Sequence, residues 1–227
     1  MNNIININSC KFKYDGSEKN IVDIESLIIK SGEHIFLRGK SGSGKSTFLN
    51  LLTGVLEAQS GTIEILFQEM TSMSRSEKDR FRGDNFGTIF QQLNLIPYLS
   101  VEENIILACQ FSKHKLESIV DMGAEIESLL NALELPLSLK SKKAMSLSVG
   151  EQQRVAVVRA LIGKPKIIIA DEPTSALDSD TKGKFMQLLF NQVEAQGSTL
   201  VFVSHDSELS SYFERVYDFS EINRASK

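Results

Sequence analysis

The sequence predicts an α/β fold: a mostly parallel sheet core, an N-terminal antiparallel β subdomain and an inserted helical subdomain. Three observations predict it. Short apolar strands alternate with helical patterns through much of the chain, which is the sequence mark of a parallel sheet. Ile167-Ile168-Ile169-Ala170 is an uninterrupted apolar run, expected of a strand covered on both faces. From about residue 92 to 160 the helical period replaces the alternation. Residues 92–160 are therefore read as the helical subdomain, and 1–91 with 161–227 as the β core of one domain spanning 1–227.

The elements follow in order. Ile4 to Ser9 alternates apolar and polar residues, and Ile21 to Ile29 does so less regularly, with the turn signal Tyr14-Asp15-Gly16-Ser17 between them. Ile35-Phe36-Leu37 is a short strand that runs into a glycine-rich loop. A helix is expected from Ser46 to about Leu52, stopped by Gly54, and a strand from Ile63 to Phe67. Ser76 to Arg82 reads as a charged, exposed segment, and Phe86 to Phe90 as a strand. Helical periodicity runs from Val101 to Leu135. Ile126, Leu129, Leu130 and Leu133 sit at i, i+3, i+4 and i+7, on one helix face, and Pro136 ends the pattern. Further helices are expected at Val149 to Ile162 and Asp180 to Glu194, then a strand at Thr199 to Val203, a short helix, and a last strand near Val216 to Phe219.

The 227 residues carry a net charge of −4, and apolar residues make up 41%. The chain is long enough for one core and a subdomain. It lacks the basic excess of nucleic-acid-binding proteins, so no nucleic-acid partner is expected. No stretch approaches the roughly 18 apolar residues of a membrane span. Met1-Asn2-Asn3-Ile4 shows no basic region followed by an apolar run, which predicts a chain that stays in the cytoplasm. Cys10 and Cys109 fit no metal spacing and read as reduced, partly buried thiols. His34 and His114 have no evident partner set.

Gly39-Lys40-Ser41-Gly42-Ser43-Gly44-Lys45-Ser46 matches GxxxxGK[ST], with a strand before and a helix after. The glycines let the backbone curl so that its N–H groups face phosphate oxygens. The helix N-terminus adds partial positive charge. Lys45 is placed to neutralise the β- and γ-phosphates, Ser46 to coordinate Mg²⁺, and Thr47 to bond an α-phosphate oxygen. The core is thus read as a P-loop NTPase core. At the end of the buried strand stand Asp171 and Glu172, at the edge where open α/β sheets take their ligands. Asp171 can hold the Mg²⁺ hydration shell. Glu172 can accept a proton from an attacking water.

Further motifs, in order along the chain, resemble those of the ABC transporter nucleotide-binding subunits. Leu147-Ser148-Val149-Gly150-Glu151 resembles the family signature LSGGQ, and Ser175-Ala176-Leu177-Asp178 its D-loop. The resemblance implies that Tyr14 stacks on adenine, with Phe12 the next aromatic candidate. It implies that Gln91 senses Mg²⁺ and the attacking water, and that His205 contacts the γ-phosphate. Ser148 and Gly150, with Asp178, would meet the ATP of a second copy, so that ATP joins two subunits head to tail. Ser148 and Glu151 also have capping-box spacing, so the same serine should start a helix. Val149 and Glu151 depart from the family pattern. Glutamate there resembles the lipoprotein-release and macrolide-export group.

The resemblance implies an ATPase using ATP and Mg²⁺. It would sit on the cytoplasmic face of the inner membrane, as a peripheral subunit that drives separately encoded membrane permeases. Leu93-Asn94-Leu95-Ile96-Pro97-Tyr98-Leu99 is unusually apolar for a loop, and in the family this region receives the membrane subunit. Export or extraction of lipoprotein or lipid is the expected task. The alternative is a cell-division type that passes a mechanical signal to a periplasmic partner. Repair-type relatives need long coiled coils, and no sustained heptad run exists here.

Overall fold

The structure, a computed structural model, describes residues 2–226, and the side chains of all of these but Ser179, Asp180 and Ser226. The elements are β1 (Asn3–Phe12), β2 (Val22–Lys30), β3 (His34–Arg38), α1 (Lys45–Leu52), β4 (Ser60–Ile65), β5 (Gln68–Glu69), α2 (Arg75–Asn85) and β6 (Phe86–Ile89). Then come α3 (Val101–Gln110), α4 (Lys113–Ser118), α5 (Met122–Ala132), α6 (Val149–Leu161) and β7 (Ile167–Asp171). The last are α7 (Ser179–Gln196), β8 (Thr199–Ser204), β9 (Arg215–Asp218) and α8 (Phe219–Ile222). The chain divides into two compact units. One holds the chain up to Arg82 and again from Thr199 onward; the other holds Gly83–Ser198.

The first unit carries the antiparallel sheet, in the order β2-β1-β4-β5. Alternation sets its register: Ile5 and Ile7 of β1 are fully buried, and Ile7 lies opposite Leu27 and Ile63. Gly61 faces a kink in β1, where Ser9 has a positive φ of 50°. A Cβ on Gly61 would lie 2.3 Å from the Ser9 carbonyl oxygen, so only glycine fits. The strand expected to reach Phe67 stops at Ile65. Leu66 and Phe67, with φ of 51° and 63°, form the tight turn into β5. In the same unit β3 pairs in parallel with β8 on one side and β9 on the other, Phe36 lying opposite Phe202 and Val216. Phe36, Phe202 and Phe213 form an aromatic core cluster with ring centroids 5.3–6.0 Å apart. Residues 76–82, expected to be an exposed charged segment, lie in helix α2. Two residues anchor it, because Phe81 and the Lys78 stem are buried and Ser74 exchanges hydrogen bonds with Glu77 at its start.

The second unit pairs β6 with β7 in parallel, Gly87 lying opposite Ile168. Gly87 lets helix α6 lie close, since a Cβ there would fall 2.0 Å from the Ala160 carbonyl oxygen. Ile167 to Ala170 are all buried, each isoleucine contributing about 1.5–3 kcal/mol to the core. The helical stretch from Val101 is three helices. Ser100, Ser112 and Asp121 each accept a backbone N–H and start α3, α4 and α5 in turn. Ile126, Leu129, Leu130 and Leu133 are buried on one face, as their spacing requires. Gly197, with φ of 65°, ends α7.

Candidate nucleotide site

In the first unit β3 leads directly into the glycine loop, and α1 leaves it. Gly42 and Gly44 have φ of 76° and 99°, so the loop curls where side chains would be strained. Gly44 is the N-cap of α1 and supplies no side-chain bond, and the first turn carries no acidic residue. The helix N-terminus therefore presents its N–H groups and partial positive charge with no acidic side chain in its own first turn to neutralise them. Lys45 lies inside the curl, almost fully buried, with Nζ donating to the Gly39 and Lys40 carbonyls at 2.6 and 2.9 Å.

A cavity of about 650 Å³ opens on this loop, lined by Gly39 to Ser43, with His205 and Asp218 at its wall. His205 is exposed, just past the end of buried β8. Asp218 bonds Arg38 at 3.1 Å; the Ser220 hydroxyl, then Arg38, hold its carboxyl below the usual carboxylate range. Tyr14 lies in the loop after β1 and reaches Thr47 of α1. Its Oη and Thr47 Oγ1 are hydrogen-bonded at 3.1 Å, and its ring meets Phe12 edge-on. Tyr14 is 47% exposed and offers a ring face, whereas Phe12 is buried at 7%.

The second unit holds the remaining predicted residues. Asp171 ends β7, and Glu172 follows with a positive φ of 49°. A non-glycine residue in that region costs of order 1–3 kcal/mol and persists only where its surroundings hold it. Here Gln153, buried in α6, donates to the Pro173 carbonyl at 3.1 Å. Ser148 caps α6 in a full capping box. Glu151 Oε2 accepts the Ser148 N–H and hydroxyl, each at 2.8 Å, and these bonds lower the Glu151 carboxyl pKa. Val149 is 52% exposed at the first helical position, and a Cβ on Gly150 would meet nothing within 4 Å. Asp178 caps α7 by accepting the Thr181 N–H at 3.0 Å.

Gln91 lies exposed in the turn after β6. The segment behind it is held by two side chains that sequence reading missed. Arg159 of α6 donates to the carbonyls of Leu93 and Asn94, both at positive φ. Burial lowers its pKa. Asn104 of α3 is fully buried; it accepts the Ile96 N–H at 2.7 Å and donates to the Ile96 and Ser100 carbonyls. An amide directly before the apolar run Ile105-Ile106-Leu107, three residues after Val101, was the available signal. Cys10 and Cys109 are both buried, and burial pushes the Cys10 thiol up to about 11, out of reach of ordinary thiolate chemistry.

Tyr14, Gly39 to Thr47 and His205 thus belong to one unit, and Gln91, Ser148, Gly150, Asp171, Glu172 and Asp178 to the other. A phosphate loop between a parallel strand and a helix, with an acidic pair ending a buried strand, defines the class of P-loop nucleotide hydrolases. The ABC transporter family model matches residues 22–175, and the chain belongs to that family as one of its ATPase domains. It is 40% identical over 191 residues to the ABC transporter ATP-binding protein MJ0796 of Methanocaldococcus jannaschii, covering 84% of this chain and 81% of that one. It is 38% identical over 204 residues to the macrolide export ATP-binding/permease protein MacB of Campylobacter jejuni. That match covers 90% of this chain but only 31% of MacB. Among solved structures, a dimeric post-hydrolysis state of MJ0796 bound to ADP and Pi superposes with a TM-score of 0.81. The identity is 34%, covering 93% of this chain and 92% of that one.

Proposed function

We propose that the chain is the ATP-binding subunit of an ABC transport system. It hydrolyses ATP in a head-to-tail dimer and drives separately encoded membrane subunits, for export or for extraction of lipoprotein or lipid. The observation that carries this reading is the open curl of Gly39–Gly44 around Lys45 at the N-terminus of α1. Phosphate oxygens fit there: they would take the loop N–H groups, and Lys45 would exchange two carbonyl bonds for the β- and γ-phosphates.

The other roles combine the family resemblance with the chemistry of each side chain. Tyr14 stacks on adenine, and Thr47, already paired with Tyr14, donates to an α-phosphate oxygen. Glu172 accepts the proton of the attacking water. His205 donates to the γ-phosphate, and Gln91 orients the water. Ser46, Asp171 and Gln91 offer the hard oxygen donors that suit Mg²⁺, which when bound neutralises charge on the β- and γ-oxygens. Ser148, Gly150 and Asp178 face the nucleotide of the second copy. Permease subunits dock near Leu93 to Leu99, where Tyr98 is 69% exposed. Among the described residues no helix is long and apolar enough to cross a membrane, and the reading places the chain at the cytoplasmic face as a peripheral subunit.

The export reading is supported by the likeness to a macrolide exporter, and the dimer by the dimeric MJ0796 structures. The experiment is ATP turnover of wild type and Glu172→Gln. The variant should turn over roughly 10²–10⁴-fold more slowly while still binding ATP, because Lys45 and the loop amides are untouched. Near-normal hydrolysis by Glu172→Gln would defeat the assignment of the base.

A further inference from the structure

The segment after β9 begins at Phe219 and carries Asn223. In the structure it is built into the back of the phosphate loop. Phe219 is fully buried against Phe48 of α1, with ring centroids 5.5 Å apart. It also lies under both ends of the loop. A Cβ on Gly39 would come 3.2 Å from Phe219 Cβ, and one on Gly44 would come 3.5 Å from its ring.

Asn223 goes further. Its side chain is fully buried, and both ends of its amide are used. Oδ1 accepts the Asp23 N–H at 2.8 Å and the Ala225 N–H at 3.3 Å. Nδ2 donates to the Ile21 carbonyl at 2.9 Å and, at the long distance of 3.4 Å, to the Ser43 carbonyl. Ser43 belongs to the loop itself. The Ile21 carbonyl is the atom that a Cβ on Gly44 would strike at 2.9 Å, so it packs directly against the loop's last glycine. The Ile21 N–H in turn bonds the Phe12 carbonyl at 2.8 Å, at the base of the loop that carries Tyr14. One amide thus ties the tail, the start of β2 and the phosphate loop together.

We infer that Asn223 is a positioning residue for nucleotide binding. It fixes the Ile21 and Ser43 carbonyls, and through them the inward curl of Gly42 to Gly44 that aims the loop N–H groups at phosphate. Four bonds in a buried amide leave it little freedom to be replaced. The inference rests on the reading of the loop as the ATP site.

The test compares wild type with Asn223→Ala and Asn223→Asp. Aspartate keeps the volume and both accepted bonds, and loses the two donated ones. The Mg·ATP KM should rise about tenfold in each, the scale of one or two hydrogen bonds that hold a binding loop, with kcat within twofold of wild type. A lower melting temperature with an unchanged KM would make Asn223 merely structural and overturn the inference. If neither variant folds, amide exchange on wild type decides it. Linkage is reciprocal, so Mg·ATP must slow exchange at the Asp23 and Ala225 amides; no slowing would overturn the inference. Failure of wild type to bind Mg·ATP would instead defeat the ATP-site reading itself.

Discussion

At the scale of single residues, Tyr14 and Val149 are the most informative. Tyr14 has an open ring face, while its hydroxyl is already engaged by Thr47. Removing the ring in Tyr14→Ala should lower ATP affinity by about 5- to 150-fold, the worth of stacking one base. The hydrolysis rate at saturating ATP should change little. GTP should serve nearly as well as ATP in wild type, since stacking tolerates either purine. Normal ATP binding by Tyr14→Ala would move the stacking role elsewhere, and buried Phe12 is a poor substitute. Val149 replaces the family glycine, yet it is exposed at the first position of α6 with negative φ, and Gly150 beside it is open. A valine there is unstrained, but in the proposed dimer it adds a branched side chain beside the signature serine, where the family pattern has none. Val149→Gly should leave the fold intact and tighten the ATP-dependent dimer by about 1 kcal/mol. The measurement is dimer affinity at saturating ATP in the Glu172→Gln background. A weaker dimer would mean that valine makes a favourable contact across the interface.

Some residues were legible because their chemistry is local. Ser148 and Glu151 cap a helix three positions apart, and Gly42 and Gly44 announce a curl by lacking a Cβ. Gln153, Arg159 and Asn223 were not legible as ties, because each acts on a backbone carbonyl 20 or more residues away, and Asn104 was not, because its partners lie in an irregular segment. Asn223 reaches Ile21 across 202 residues. No spacing rule encodes such a partner.

At the scale of elements, periodicity found the long buried features and missed the weakly amphipathic one. β7 and the face of α5 follow from runs of isoleucine and leucine. Helix α2 was hidden because only Phe81 and the Lys78 stem are buried among its charged residues. The single helical stretch from Val101 to Leu135 divides at caps. Serine and aspartate at Ser112 and Asp121 stop one helix and start the next, a local signal outweighed by the surrounding apolar residues.

The segment from Leu93 to Leu99 is an irregular element with a regular support. Asn104 holds its Ile96 end and Arg159 holds its Leu93 end, so it is a fixed surface rather than a loose loop. Asn104→Leu removes the support without leaving a cavity. It should cost about 1–3 kcal/mol, because the Ile96 N–H loses its partner, while the Ile96 and Ser100 carbonyls keep their backbone N–H donors. Denaturant titration checks the stability. Amide exchange should accelerate at Ile96, whose N–H Asn104 accepts. Unchanged exchange there would show that the segment is held by its backbone bonds to the residues before α6, such as Met145 N–H to the Pro97 carbonyl at 3.1 Å.

At the scale of the whole molecule, the proposed assembly makes the chain a half-site. Ser148 caps the N-terminus of α6 together with Glu151, Gly150 leaves its surface open, and in the proposed assembly this end meets an anion. In the proposed assembly that anion is the γ-phosphate held by the second copy, and ATP is what joins the two. Hydrolysis then removes the join. Glu172→Gln should trap the joined state, since ATP binds and is not consumed. The decisive measurement is sedimentation of Glu172→Gln with and without Mg·ATP. The account predicts a monomer without nucleotide and a dimer with it. A chain that stays monomeric at saturating ATP, or that is dimeric without any nucleotide, would contradict it.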